Sequence, residues 1–141
     1  MKLVIKKPSS LNKSILDRLK QLRLKDGVMY WELLAAIKIP EMNSRVILCY
    51  DDDKIIGWSL IQERNYYPRR RYKYLDIGVF VHRNYRRKHV GIKIVNKAKC
   101  WAKRNTKTLE IIAHPYDWKT ACFFDRCGLW TVSAISFRRK D

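Results

Sequence analysis

Apolar residues recur along the chain with two spacings, and the switches between them lay out the elements. Residues 1–5 (MKLVI) read as a short first strand. Pro8-Ser9-Ser10 breaks it and offers an N-cap for a helix. Leu11, Ile15, Leu19 and Leu22, with Leu16 alongside, recur at helical spacing, while Lys13, Asp17, Arg18 and Lys20 fall off that stripe. Asp26-Gly27 ends this helix. A second, shorter helix carries Tyr30, Leu33, Leu34 and Ile37 and stops at Pro40. Packing accounts for Tyr30 and Trp31 as core aromatics ahead of a role in lining an acceptor pocket.

Residues 45–50 (RVILCY) and 54–62 (KIIGWSLIQ) are apolar runs joined by Asp51-Asp52-Asp53, a hairpin with an acidic turn. Residues 64–71 (RNYYPRRR) form a basic loop, and residues 72–81 make the next strand. A helix opens at His89 or Val90, with Val90, Ile94, Ala98 and Trp101 at helical spacing and Val95 and Ala102 beside them. Residues 107–113 (KTLEIIA) read as a strand. Asp117 caps another helix with Ala121, Phe124 and Cys127 on one face and Gly128 at its end. Residues 129–137 (LWTVSAISF) are a last strand. This order describes one α/β (α+β) domain, residues 1–141, on a mixed sheet.

Composition narrows the class of partner. The 31 lysines and arginines outnumber 13 acids and give a formal charge of +18. Such a field attracts anions: nucleic acid, anionic lipid, a phosphorylated cofactor or an acidic protein. No apolar run spans a bilayer, and MKLVIKKPSS lacks a signal-peptide core, so a cytoplasmic protein without a membrane partner is expected. Cys49, Cys100, Cys122 and Cys127 form no C-x-x-C pair and read as reduced core residues. The three aspartates do not match an EF-hand, so no metal is expected.

The chemistry concentrates at residues 79–91. An apolar strand enters a basic turn, and the turn enters a helix. The first N–H groups of a helix lack intrahelical partners and carry the positive end of its dipole, so they take up phosphate. Gly91 admits close backbone approach, and Arg86, Arg87 and Lys88 add full charges.

This stretch resembles the phosphate loop of the GNAT superfamily of acetyl-CoA-dependent N-acetyltransferases, Arg/Gln-x-x-Gly-x-Gly/Ala. Arg86 and Gly91 fit it, and His89 stands where the first glycine belongs. Residues 54–58 (KIIGW) resemble the family's hairpin with its strand glycine. Asp117, Gly128 and Leu129 match its second cofactor segment. The resemblance implies a GNAT-type single domain of about six to seven strands and about four helices. It implies acetyl-CoA as co-substrate, with its pyrophosphate on the N–H groups of Arg87, Lys88, His89, Val90, Gly91 and Ile92. Pantetheine would lie along Val79 and Val81, with an N–H near Val79 polarising the acetyl carbonyl. Asp117 and Phe124 belong to the same cofactor site.

The resemblance leaves the proton chemistry open. Phe124 stands where the family often has a tyrosine acid, so Tyr116 or Cys122 would substitute, or the thiolate leaves unaided. Base candidates are Asp76, Glu63, Glu110 and His114. The family's usual acid falls at Leu75, so alternation puts Asp76 on the opposite face unless a bulge shifts the register. The expected activity is acetyl transfer to a primary amine. The acceptor and the oligomeric state are open, and an acidic protein or an RNA-borne amine would fit the surplus charge. The alternative is a non-catalytic GNAT-fold module binding nucleic acid or another anionic partner.

Overall fold

A computed structural model describes residues 1–23, 27–39, 43–65, 73–106, 111–113 and 118–131. In chain order these hold β1 (Lys2–Lys6), α1 (Lys13–Gln21), α2 (Val28–Lys38), β2 (Ser44–Asp51), β3 (Lys54–Asn65) and β4 (Lys73–Val81). There follow α3 (Val90–Asn105), β5 (Ile111–Ala113), α4 (Trp118–Arg126) and β6 (Trp130–Thr131). Short 3-10 turns lie at Pro8–Ser10 and Arg83–Tyr85.

The described strands form one six-stranded sheet in the order β1-β2-β3-β4-β5-β6. The first four are antiparallel, and β5 and β6 join in parallel. This is the mixed sheet expected from the element order. The parallel pairing needs crossovers, and α3 and α4 supply them.

Each sheet face carries its own core. On one, Val46, Leu48, Trp58 and Leu60 pack with Leu19 and Leu22 at the end of α1 and with Tyr30 and Leu33 of α2. On the other, Ile47, Ile61, Leu75 and Ile77 pack with Val90, Ile94, Val95 and Ala98 of α3 and Phe124 of α4. The one break in the β2–β3 register falls between Cys49 and Tyr50, opposite Gly57 and Ile55, and it leaves Ile56 as a bulge. Ile56 therefore joins the α3 core, as Cys49 does.

Several local expectations need correction. The cap of α1 is Asn12, whose Oδ1 accepts from the Ile15 N–H at 2.9 Å, while Ser10 donates to the Lys7 carbonyl inside the 3-10 turn. Gly27 does not end α1 but precedes α2 at φ 64°. Trp31 is 63% exposed rather than core, although Tyr30 is buried. Of the four free cysteines only Cys49 is buried; Cys100 and Cys122 lie on outward helix faces and Cys127 is half-buried. The beginning of the 107–113 strand, the 132–137 part of the last strand, Pro40 and Asp26 lie outside the described residues.

Candidate active site

β4 organises the site because it lies between β3 and β5 and runs into the basic turn before α3. It pairs with β3 over its whole length, from Asn65–Lys73 to Gly57–Val81. Among the described residues, pairing with β5 joins Leu75, Asp76 and Ile77 to Ile111, Ile112 and Ala113. Beyond Ile77, β4 continues through Gly78 to Val81 towards the turn before α3. Alternate residues of a strand direct N–H and C=O groups to each of its edges. Val79 and Val81, both half-buried, lie on this stretch.

The strand then delivers the chain to the phosphate turn. His82 opens the Arg83–Tyr85 turn, its Nδ1 accepting from the Asn84 N–H at 3.2 Å. Tyr85 donates to Asp51 at 2.8 Å and so ties the turn to the acidic hairpin. That hydrogen bond, with partial burial behind it, pushes the Tyr85 phenol up. Arg86 folds back, donating from Nε to the Val81 carbonyl at 3.0 Å, with its guanidinium over the Phe80 ring. Arg87 and Lys88 are exposed, and Lys88 lies over the Tyr85 ring.

His89 stands immediately before α3 at φ 62°, ψ 15°, and Arg87 has φ 63°. The first glycine of the phosphate pattern is thus replaced by a histidine that adopts the glycine conformation. The first helical bond here runs from the Lys93 N–H to the His89 carbonyl at 3.1 Å. The N–H groups of Val90, Gly91 and Ile92 precede it and point out of the helix end. Gly91 has a second role. A Cβ there would lie 2.9 Å from Cζ and 3.1 Å from Cε1 of Phe123, so its bareness lets α4 pack against α3.

Unbroken register along β4 settles the orientation of Asp76. Leu75 faces α3, and Asp76 faces α2. The bulge that could have changed this lies in β3 instead. Asp76 is 8% exposed and accepts from Arg64 Nε at 2.9 Å. Arg64 also donates to Gln62 at 2.8 Å and lies 3.6 Å from Glu32 of α2. Tyr74 is nearby: burial first, then the Asp76 carboxylate, pushes its phenol up. Glu63 occupies the opposite face and pairs with Lys73 at 3.2 Å.

Phe124 is 2% exposed within the α3 core and meets Phe123 edge to face at 5.2 Å. Gly128, at φ 77°, closes α4, with the Leu129 N–H donating to the Phe124 carbonyl and Lys99 Nζ to the Cys127 carbonyl. This is a Schellman end with an added cation. His114, Tyr116, Asp117 and Glu110 lie outside the described residues. No group of three metal-ligating side chains occurs among the described residues. The Arg64 network, the Tyr85–Asp51 bond and the Gly91–Phe123 contact carry no local sequence signal. Each joins residues that only the fold brings together.

β4 runs from the middle of the mixed sheet into a basic turn and the N-terminus of α3, where three backbone N–H groups precede the first helical bond. The acetyltransferase (GNAT) domain model matches residues 42–128, more than half of the chain, and the protein belongs to that family. Compared with curated proteins, the chain matches none. Solved structures share the fold at low identity. A glucosamine-6-phosphate N-acetyltransferase from Arabidopsis thaliana is 20% identical, with a TM-score of 0.64 over 94% of this chain and 95% of that one. A ribosomal-protein-alanine N-acetyltransferase from Brucella melitensis biovar Abortus 2308 is 8% identical, at 0.62 over 95% and 94%. An aminoglycoside acetyltransferase from an uncultured soil metagenomic sample, in complex with sisomicin, is 18% identical, at 0.63 over 89% and 84%. No helix among the described residues is long and apolar enough to cross a membrane.

Proposed function

We propose that the protein transfers an acetyl group from acetyl-CoA to a primary amine. The observation that carries this reading is the phosphate turn at the end of β4, where His89 at φ 62° opens α3 and leaves the N–H groups of Val90, Gly91 and Ile92 without intrahelical partners. Acetyl-CoA supplies the acetyl group activated as a thioester. The N–H groups of Val90, Gly91 and Ile92, with Arg87 and Lys88, hold its pyrophosphate. The backbone at Val79 and Val81 holds the pantetheine arm, and an N–H near Val79 polarises the carbonyl.

On the α2 side Asp76, steadied by Arg64, gives an amine a carboxylate to approach and to pass its proton to. Tyr74 and Glu32 extend that polar group, and His114 and Tyr116 stay as further proton carriers. Phe124 carries no proton, so the thiolate leaves without an acid from that helix position. The acceptor is an amine on an acidic macromolecule, a protein surface or an RNA, in keeping with the +18 charge. Four free thiols suit a cytoplasmic setting. The competing reading, a non-catalytic binding module, draws on Phe124 and on the lack of an obvious general base in the sequence.

Thermal unfolding with and without acetyl-CoA tests the cofactor. At a hundred times its Kd the ligand stabilises by about 2.7 kcal/mol. Arg87→Glu and Lys88→Glu should lose that shift while unfolding normally without ligand. They are cleaner probes than a change at Gly91, which also disturbs Phe123. CoA release with a panel of amines then tests transfer, and Asp76→Asn should lower kcat/KM by about a hundredfold or more. Binding without CoA release from any amine would leave the module reading in place.

A further inference from the structure

We propose that the outer face of α3 binds the phosphodiester backbone of a nucleic acid, at a surface separate from the phosphate turn. The sixteen residues of α3 include Lys93, Lys97, Lys99, Lys103 and Arg104 and no carboxylate. Lys93, Lys103 and Arg104 are exposed and Lys97 is half-exposed. Four-residue spacing sets Lys93 beside Lys97 and Lys99 beside Lys103, and like charges so placed oppose the helix. A polyanion on that face reverses the sign.

These cations are not committed elsewhere. The ion pairs among the described residues use Arg64 and Lys73, and Lys99 serves the end of α4. Lys93, Lys97, Lys103 and Arg104 have no carboxylate partner among the described residues. With a rise of 1.5 Å per residue, Lys93 to Arg104 spans about 16 Å, leading away from the helix N-terminus assigned to acetyl-CoA.

A flat group in the same region favours nucleic acid over an acidic protein. The Arg45 guanidinium lies over the Trp101 indole, 5.3 Å from its centroid. Trp101 is half-exposed, and Lys97 and Arg104 are its helix neighbours, four residues before and three after. An indole capped by a guanidinium beside phosphate-binding cations is a place for a base to stack. Carboxylate side chains would use the charge and not the plane.

This inference goes beyond acetyl transfer and does not depend on it. The test is fluorescence anisotropy with a short unstructured RNA, and with the DNA of the same sequence, from about 50 to 200 mM salt. Four phosphate contacts on a single strand give a log–log slope near −2.8, so Kd should rise about 50-fold over that range. Combined Lys97→Gln, Lys103→Gln and Arg104→Gln leaves one contact and a rise of about threefold. Combined Lys97→Arg, Lys103→Arg and Arg104→Lys keeps the steep slope, which separates charge from misfolding. Saturating acetyl-CoA should leave binding unchanged. Binding of either nucleic acid supports the surface, and a preference for one identifies the source. A flat slope, an unchanged slope in the glutamine variant, displacement by acetyl-CoA, or equal affinity for polyglutamate would each overturn the proposal.

Discussion

Replacing His89 by glycine should stabilise the protein relative to alanine at the same position. His89 enters α3 from the left-handed region, φ 62° and ψ 15°, with its imidazole exposed. An L-residue there meets a conflict between Cβ and the following carbonyl of about 1–2 kcal/mol. Glycine removes that conflict, but its unfolded chain is freer by about 0.5–1 kcal/mol. The balance puts the glycine variant about 1 kcal/mol above the alanine variant, or about 3–4 °C in Tm for a domain of this size. Histidine enters this region more readily than most side chains, so the native protein should fall between them. A β-branched residue is a true outlier there, and His89→Val should be the least stable. Thermal unfolding followed by circular dichroism gives the order glycine, histidine, alanine, valine. The acetyl-CoA shift should persist in the glycine variant, because Val90, Gly91 and Ile92 keep their free N–H groups. An alanine variant as stable as the glycine variant would refute the assigned conformation.

At Gly91 the effect has the opposite sign. Gly91→Ala places a methyl 2.9 Å from Phe123 Cζ, and overpacking of about 1–3 kcal/mol against a helix-entropy gain of about 0.5–1 kcal/mol should leave a net loss of about 0.5–2 kcal/mol in urea unfolding. Phe123→Leu in the same chain should recover part of the loss, so that the two changes together fall short of their sum. His82 predicts a pH effect. Partial burial first, then Lys54, Arg18, Arg83 and Arg86, hold its imidazole below the ordinary 6.5. The unfolded chain therefore binds the proton more readily than the folded one. Stability is full above about pH 6.5 and falls as pH drops through that value. His82→Asn, which keeps an acceptor for the Asn84 N–H, should flatten that part of the stability–pH curve.

The legible parts of the fold are those where one physical pattern acts alone. The stripe of α3 reads directly because its apolar positions lie on one side and its lysines on the other. Alternation along β4 correctly separates Leu75 from Asp76, since no bulge interrupts that strand. Helix α2 resists the same treatment. It is apolar nearly all round, so nothing in the pattern says that Tyr30 goes inward and Trp31 outward. The bulge at Ile56 hides within a continuous apolar run, where either face accepts the residue. The Arg64–Asp76 pair has a different cause: two strands must be placed in register before the guanidinium and carboxylate meet. Asp76 is visible as a candidate in the sequence, but its steadying partner is not.

The phosphate turn brings both kinds of information together. In the family pattern, positions 89 and 91 both call for small residues, and the structure shows that they do so for different reasons. At position 89 the demand is a backbone angle, which histidine meets at a cost of about 1 kcal/mol. Position 91 instead faces the Phe123 ring, which any side chain would have to displace. A conformational demand can be met by a strained residue, whereas a steric one requires a neighbour on another helix to move. The chain departs from the pattern at the first position and keeps glycine at the second. The altered loop therefore still presents the N–H groups of Val90, Gly91 and Ile92 at the end of β4, the groups to which the proposed function gives the pyrophosphate.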